Sequence, residues 1–342
     1  MAPRPSSFPR LARSVAHVRA LWGVGFLLPL IPAFYAAGVA AIGDLRPEHV
    51  VFALFAAVFG FIGQRSKLFL IDTSPIIAVA MGYDLVRYVR PFAVLPERVL
   101  GCELRQLDSA LFPSLGARTM QESLAALHTP ALDLIAAVPY TIFIYLVFVY
   151  ATVLFFKDRP RMRHYLLAFA VGNYISFACW LLLPAAPPWY VHAHGCVIDT
   201  AVAANPAGLA RVDQLFGISY YASFYGRASA VFGAMPSMHC AYPLIGLLTA
   251  WRVAGVRARF VHLGYVAIMS LAAMYLDHHW AVDVVAGWFT ALASVVIAGA
   301  WLKYRERVSQ RAREAVSGRL SAPRPPRPSS PFDRPAPAPF GK

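Results

Sequence analysis

The 342-residue sequence predicts an all-α fold, a polytopic membrane bundle of about eight transmembrane helices. Three observations predict it. The chain is 58% hydrophobic and 14% charged, against about 45–50% and about 25% in soluble domains, so a water-exposed globule has no way to hide its apolar surface. Uncharged apolar stretches of roughly 20 residues, the length a helix needs to cross the hydrocarbon core, recur along the chain. Basic residues fall in alternate intervening segments, as they do in polytopic proteins.

Ala20–Gly43 is the first span. Basic residues precede it as in a signal peptide, but it is longer than such an apolar region and no small-residue cleavage site follows it. His49–Gly63 is short, and the next stretch, from Leu68 to about Leu85, carries Asp72, Pro75 and Asp84. These two form either a pair of spans or a re-entrant hairpin. Leu134–Phe156 and Tyr165–Val191 are long and uncharged, Val261–Leu276 is apolar apart from His262, and Val284–Leu302 closes the bundle. The stretch from His239 to Trp251 is long enough once the uncharged residues before it are counted. Residues 1–19 then form a cytoplasmic N-terminal segment, 20–302 the transmembrane catalytic domain, and 303–342 a basic, Pro-rich, disordered cytoplasmic tail. Beyond Leu320 the prolines forbid a helix and the composition predicts disorder. The four cysteines show no metal spacing; Cys102 and Cys196 fall in loops on one side, where they either pair or act as small apolar filler, and filler is the reading preferred.

The net charge of +14 invites a nucleic-acid reading, but the placement of the charge excludes it. With eight spans and the N-terminus inside, 23 of the 31 Lys and Arg fall on the inner side and most carboxylates on the outer. That asymmetry puts both termini in the cytoplasm, with the cell membrane as the expected location. Two long stretches then face outward, about 86–130 and about 186–237. The first reads as amphipathic helical turns at the membrane surface, and the second as a Pro- and aromatic-rich pocket wall.

At the end of the second stretch, Gly233, Pro236 and Ser237 precede a helix whose first turn carries His239. A helix N-terminus with unpaired N–H groups suits a phosphate, and Ser237 either caps it or donates to a phosphate oxygen. A plain capped helix with an interfacial histidine is the alternative. The next outward turn is Y-L-D-H-H-W-A-V-D-V-V-A-G. His279 and Asp283 are four apart, about 40° around a helix, whereas His278 and Asp283 are about 140° apart, so His279 is the paired histidine. An interfacial polar belt accounts for one such residue but poorly for a His-x-x-x-Asp pair beside a second histidine.

G-A-M-P-S-M-H followed by H-H-W-A-V-D-V-V-A-G resembles the second and third signature motifs of the phosphatidic acid phosphatase type 2 superfamily. P-A-A-P-P-W-Y and the upstream L-D-S-A-L-F look like its inositolphosphotransferase branch, which includes inositol phosphorylceramide synthase. The likeness runs from about Phe69 to Gly287. It implies His279 as the nucleophile on phosphorus, Asp283 as its orienting partner and His239 as the acid for the leaving oxygen, through a phosphohistidine. It also implies a phospholipid or polyprenyl phosphate substrate, an outward-facing active site, and no metal or other cofactor.

Two departures stand out. The superfamily's first motif is typically K-x-x-x-x-x-x-R-P, but Lys157, Arg159 and Pro160 fall on the cytoplasmic side and read as an inner anchor. Its third motif commonly has Ser-Arg before the histidine, where this chain has Ala272 and Ala273. Phosphate binding is then expected from Ser237, the helix N-terminus and an outer cation, Arg227 first and Arg105 second. Three functions compete: a lipid phosphotransferase, a lipid phosphatase with water as acceptor, and a transporter. A transporter predicts charges near span midpoints, and the four long uncharged spans have none.

Overall fold

The computed structural model describes residues 8–116 and 118–321. Among these the chain is helical, with only isolated bridge pairings of extended backbone. Four N-terminal helices come first: α1 (Phe8–Trp22), α2 (Ile31–Ala41), α3 (Pro47–Ile62) and α4 (Gln64–Ala93). Two short helices, α5 (Cys102–Leu111) and α6 (Met120–Ala125), lead to the hairpin α7 (Pro130–Lys157) and α8 (Arg159–Leu182). A second run of short helices, α9 (Pro188–His194), α10 (Ala210–Phe216) and α11 (Tyr220–Tyr225), precedes α12 (Met238–Ala250), α13 (Val256–Tyr275) and α14 (Ala281–Ser321). Five helices, α4, α7, α8, α13 and α14, are long and apolar enough to cross a membrane. The bent pair α1–α2 makes a sixth if it counts as one span, and α3 and α12 are apolar but shorter.

Exposed side chains along α3 and α7, among them Val51, Leu54, Val58, Ile135, Val138 and Val149, give these helices apolar outer faces suited to lipid. The protein is an integral membrane protein. Its core is built where α4, α7, α8, α12 and α14 meet, around Leu154, Leu166, Ala168, Ile245, Ala291 and Ala298. Small residues at such contacts let helix backbones approach closely.

Several sequence expectations are revised. The first span is not one helix over 20–43: the chain turns through 88° between Val15–Gly25 and Leu28–Ala41. Gly23, at φ 56°, and Pro29 and Pro32 interrupt the regular hydrogen bonding there. The stretch with Asp72 and Asp84 is a continuous helix of 30 residues rather than half of a re-entrant hairpin. α8 stops at Leu182, short of the expected Val191, because Pro184 cannot continue it. Helix α14 runs on to Ser321, so 303–321 is helical rather than disordered; this stretch contains no proline and is rich in good helix formers. The Pro-rich residues beyond it, expected to be disordered, lie outside the described residues. The compact body ends at Gly299, and the second unit begins at Ala300.

K-D-R-P-R-M-R makes the tight turn between α7 and α8. The Asp158 side chain accepts from Arg161 N–H and caps α8, with Pro160 in its first turn. Arg159 and Arg163 both pair with buried Asp72 on α4, Arg163 Nε at 2.7 Å. At 1.5 Å per residue, Lys157 lies about 26 Å along α7 from Tyr140, which stacks on His239.

Cys102 and Cys196 form a disulfide, which corrects the filler reading. Both loops lie against one another because Leu100 pairs with the backbone at 184–186. Without reductant, a bulky maleimide added to denatured protein should label only Cys179 and Cys240, and with reductant all four cysteines. Cys196→Ser should destabilise the detergent-solubilised protein by about 2–4 kcal/mol, read by thermal unfolding.

Candidate active site

Ser237 is the N-cap of α12: its hydroxyl accepts from Cys240 N–H at 3.4 Å, and its own backbone N–H donates to the Asp283 carbonyl at 3.0 Å. That second bond ties the start of α12 to the first turn of α14. The contact is so close that a Cβ on Gly287 would collide with the Ser237 carbonyl oxygen. Only glycine lets the two backbones meet there. His239, in the first turn of α12, and His279, two residues before α14, are thereby brought face to face, with His239 Nδ1 3.1 Å from His279 Nε2.

The His279 ring is oriented from behind. Its Nδ1 lies 2.9 Å from the Ala234 carbonyl oxygen, an acceptor only, so Nδ1 carries the proton and Nε2 presents a lone pair. Asp283 is fully buried, and its Oδ2 stands 3.6 Å from the same Nδ1 while accepting from Trp280 N–H at 2.9 Å. The expected carboxylate–imidazole pairing is therefore present as a close charge, with the direct hydrogen bond going to a carbonyl. Ala234 is itself held, since its N–H donates to Ala185 and Ala185 N–H donates to Phe232. In P-A-A-P-P-W-Y, Ala185 and Ala186 are completely buried, and the Ala186 carbonyl accepts from the Trp280 indole at 2.9 Å.

Three further supports carry no signal in residue spacing. Asp108, in L-D-S-A-L-F, is fully buried and accepts from the N–H groups of Ala281 and Val282, capping α14 from another helix. Burial, opposed by these bonds, leaves its carboxyl above the usual range. Gln121 donates to the His279 carbonyl at 2.7 Å. His278 is sandwiched between Tyr140 and Tyr225 with Nε2 3.1 Å from the Pro206 carbonyl oxygen, and burial pushes its pKa down to about 3, so it stays neutral.

The histidines open onto a cavity of about 1220 Å³. Apolar residues of α4, α7 and α8, such as Val79, Phe143, Phe148 and Phe169, line it, and so do Arg46, His49, Asp84 and Arg87. Arg227 lines this cavity. Ser237 does not: it is fully buried and its hydroxyl serves the cap. Arg105 does not either; it is paired with Glu122 at 2.8 Å, which clamps α5 to α6.

The model of the PAP2 superfamily matches residues 103–297, more than half of the chain. The chain belongs to the PAP2 superfamily. It is 31% identical to a phosphoinositol dihydroceramide synthase of Bacteroides thetaiotaomicron over 77% of this chain and 87% of that protein. Likeness to two fungal proteins is partial. An inositol phosphorylceramide synthase of Candida albicans is 33% identical over 48% of this chain and 35% of its own length. An inositol phosphorylceramide synthase catalytic subunit of Schizosaccharomyces pombe is 35% identical over 49% and 40%. No solved structure matches. As a PAP2 superfamily member with these relatives, the protein is a membrane enzyme acting on lipid phosphates.

Gly287→Ala should displace α14 from Ser237 and separate the site histidines. A displacement of this order is expected to lower turnover by about 10²-fold while the protein still folds, measured as kcat beside thermal unfolding.

Proposed function

We propose that this protein is a lipid phosphotransferase that moves a phosphoryl-linked head group, inositol phosphate, from a donor phospholipid to the hydroxyl of a ceramide-type acceptor. The observation that carries this reading is the cavity of about 1220 Å³, larger than the roughly 300–1,000 Å³ of a typical single-ligand site. A phosphatase needs room for one lipid and water. The names of the relatives, synthases of phosphoinositol dihydroceramide and inositol phosphorylceramide, support the same choice of donor and acceptor.

The chemistry follows from the tautomer at His279. Its Nε2 lone pair attacks phosphorus, the bond to the diacylglycerol oxygen breaks, and that oxygen takes a proton from His239. An anionic phosphodiester beside His239 favours the imidazolium needed for this step. As Nε2 bonds to phosphorus the His279 ring becomes cationic, and buried Asp283 at 3.6 Å stabilises it. In the second half the acceptor hydroxyl gives its proton to the now neutral His239, its oxygen attacks phosphorus, and the phosphorus–nitrogen bond breaks. At 3.1 Å the two rings leave no space for phosphorus, so substrate binding must part them.

The site faces outward in this reading. The Cys102–Cys196 disulfide lies on its side of the molecule and belongs to an oxidising compartment, while the basic turn at Lys157 lies at the opposite end of α7. In a Cys179→Ser, Cys240→Ser background, an impermeant maleimide applied to intact cells should label His194→Cys and leave Lys157→Cys untouched. The reverse pattern would invert the topology.

Labelled phospholipid and ceramide, incubated with purified protein and quenched in SDS at mildly alkaline pH, where a phosphorus–nitrogen bond survives, should yield head-group-labelled ceramide and a trapped phosphoprotein. His279→Ala should abolish the trap. Asp283→Asn should slow turnover by about 10²–10⁴-fold while keeping it measurable. His239→Ala should be rescued by a donor with a nitrophenolate leaving group, which departs without a proton. Trapped label that survives in His279→Ala would remove His279 as the nucleophile, and release of free inositol phosphate instead of labelled ceramide would favour the phosphatase.

A further inference from the structure

One wall of the cavity is assembled by α2, α3 and α4, which lie outside the region matched by the family model. Val79, Tyr83 and Arg87 recur along one face of α4 and line the cavity, and the α2–α3 hairpin adds Arg46 and His49. Asp84, only 8% exposed, is the hub. Its Oδ2 accepts from the Tyr35 hydroxyl at 2.7 Å and lies 3.1 Å from His49 Nε2. Its Oδ1 accepts from Arg46 at 3.2 Å and faces Arg87 Nε at 3.7 Å.

A clasp between the hairpin and α4 accounts for Asp84 with Tyr35, His49 and Arg46. Asp44 completes the clasp by accepting from Arg46 Nη2 at 2.8 Å, so Arg46 is held by two carboxylates. The clasp does not account for the spare donors of Arg87 and Arg227. Arg87 Nε is buried without a hydrogen-bond acceptor, and its Nη2 donates to the Arg227 carbonyl at 3.0 Å. The Arg227 guanidinium has no partner among the described residues, although it lines the same cavity. Two guanidiniums, those of Arg87 and Arg227, therefore line one cavity with donors to spare.

We infer that Arg87 and Arg227 form a subsite for the uncharged, polyhydroxylated head group of the donor phospholipid. The inference rests on the transferase reading, in which the phosphate bearing that head group sits at His279. Guanidinium N–H groups donate to ring hydroxyl oxygens, and the Glu48 carboxylate and Asn205 amide oxygen, also on the wall, accept from hydroxyl hydrogens. The Arg227 guanidinium, with no carboxylate paired to it among the described residues, disfavours the ammonium of a choline or ethanolamine head group, so the subsite selects by exclusion as well as by attraction.

The test is the affinity of the full-length, detergent-solubilised protein for dioctanoyl phosphatidylinositol and dioctanoyl phosphatidylcholine, measured by calorimetry beside the transfer assay. Wild-type protein should prefer the inositol lipid. Arg87→Gln and Arg227→Gln should each cut that preference roughly tenfold, the loss of one charge-assisted hydrogen bond. The Arg227 side chain bonds to nothing among the described residues, so its variant reports on the ligand even if Arg87→Gln fails to fold. Equal affinity of the wild type for the two lipids, or an unchanged preference in Arg227→Gln, would overturn the subsite. Wild-type protein that shows the preference and its loss in the variants, yet transfers to no acceptor, would support the subsite and sink the transferase reading.

Discussion

The site depends on one backbone contact, the approach of α14 to the N-terminus of α12 at Gly287 and Ser237. Two short helical starts would otherwise be free to slide along one another, and a shift of an ångström at that junction moves His239 relative to His279. The Ser237 N–H to Asp283 carbonyl bond sets the register, and the absence of a side chain at Gly287 sets the distance. The remaining supports act on the same junction. Asp108 caps α14 from α5, Gln121 holds the His279 carbonyl from α6, and the Ala185 and Ala234 pairing carries the acceptor for the imidazole. The two long stretches that lead to α7 and to α12 are thus scaffolding for two histidine rings, and the disulfide between them limits how far the scaffold can loosen.

What the sequence showed of this arrangement follows from what periodicity can see. His279 and Asp283 are linked by spacing on one helical turn, and Ser237 by its place before an apolar run; both were legible because the relation is local. The face-to-face placement of His239 and His279 was legible only through the order of motifs and the side of the membrane each reaches. Asp108 sits inside a recognisable motif, but its task of capping a helix some 170 residues later is a tertiary relation that no spacing encodes. The Ala234 carbonyl, which takes the imidazole proton, was invisible for a simpler reason, since every residue has a carbonyl. Arg105 was a reasonable cation on the right side, and Glu122 claims it, because a surface carboxylate on the next helix cannot be placed from sequence.

The misread boundaries have equally specific causes. Composition shows that Ala20–Gly43 is apolar but not that Gly23 and two prolines break it into two parts at a sharp angle. The end of α14 was set by where apolarity stops, yet helices end where hydrogen bonding stops, and a charged proline-free segment has no reason to stop. Cysteine pairing was open because two thiols in loops on one side pair only if the loops meet, and Leu100 with Pro184 and Ala186 decides that they do.

The two buried carboxylates of α4 give the strongest physical discrimination among the functions. Asp72 and Asp84 stand about 18 Å apart along the helix. Each is neutralised by arginines, Asp72 by the α7–α8 turn and Asp84 by the α2–α3 hairpin. Between them the face of α4 toward the cavity is apolar, with Ile76, Val79 and Ala80. An ion pathway needs polar groups spaced closely enough for a hydrated or partly dehydrated ion to pass from one to the next, and this gap offers none. Phe143, Phe148 and Phe169 face the same space. A cavity whose wall holds apolar side chains, a charged cluster and two histidines suits a molecule of the same make-up, polar at one end and hydrocarbon along its length, as the proposed lipid substrate is.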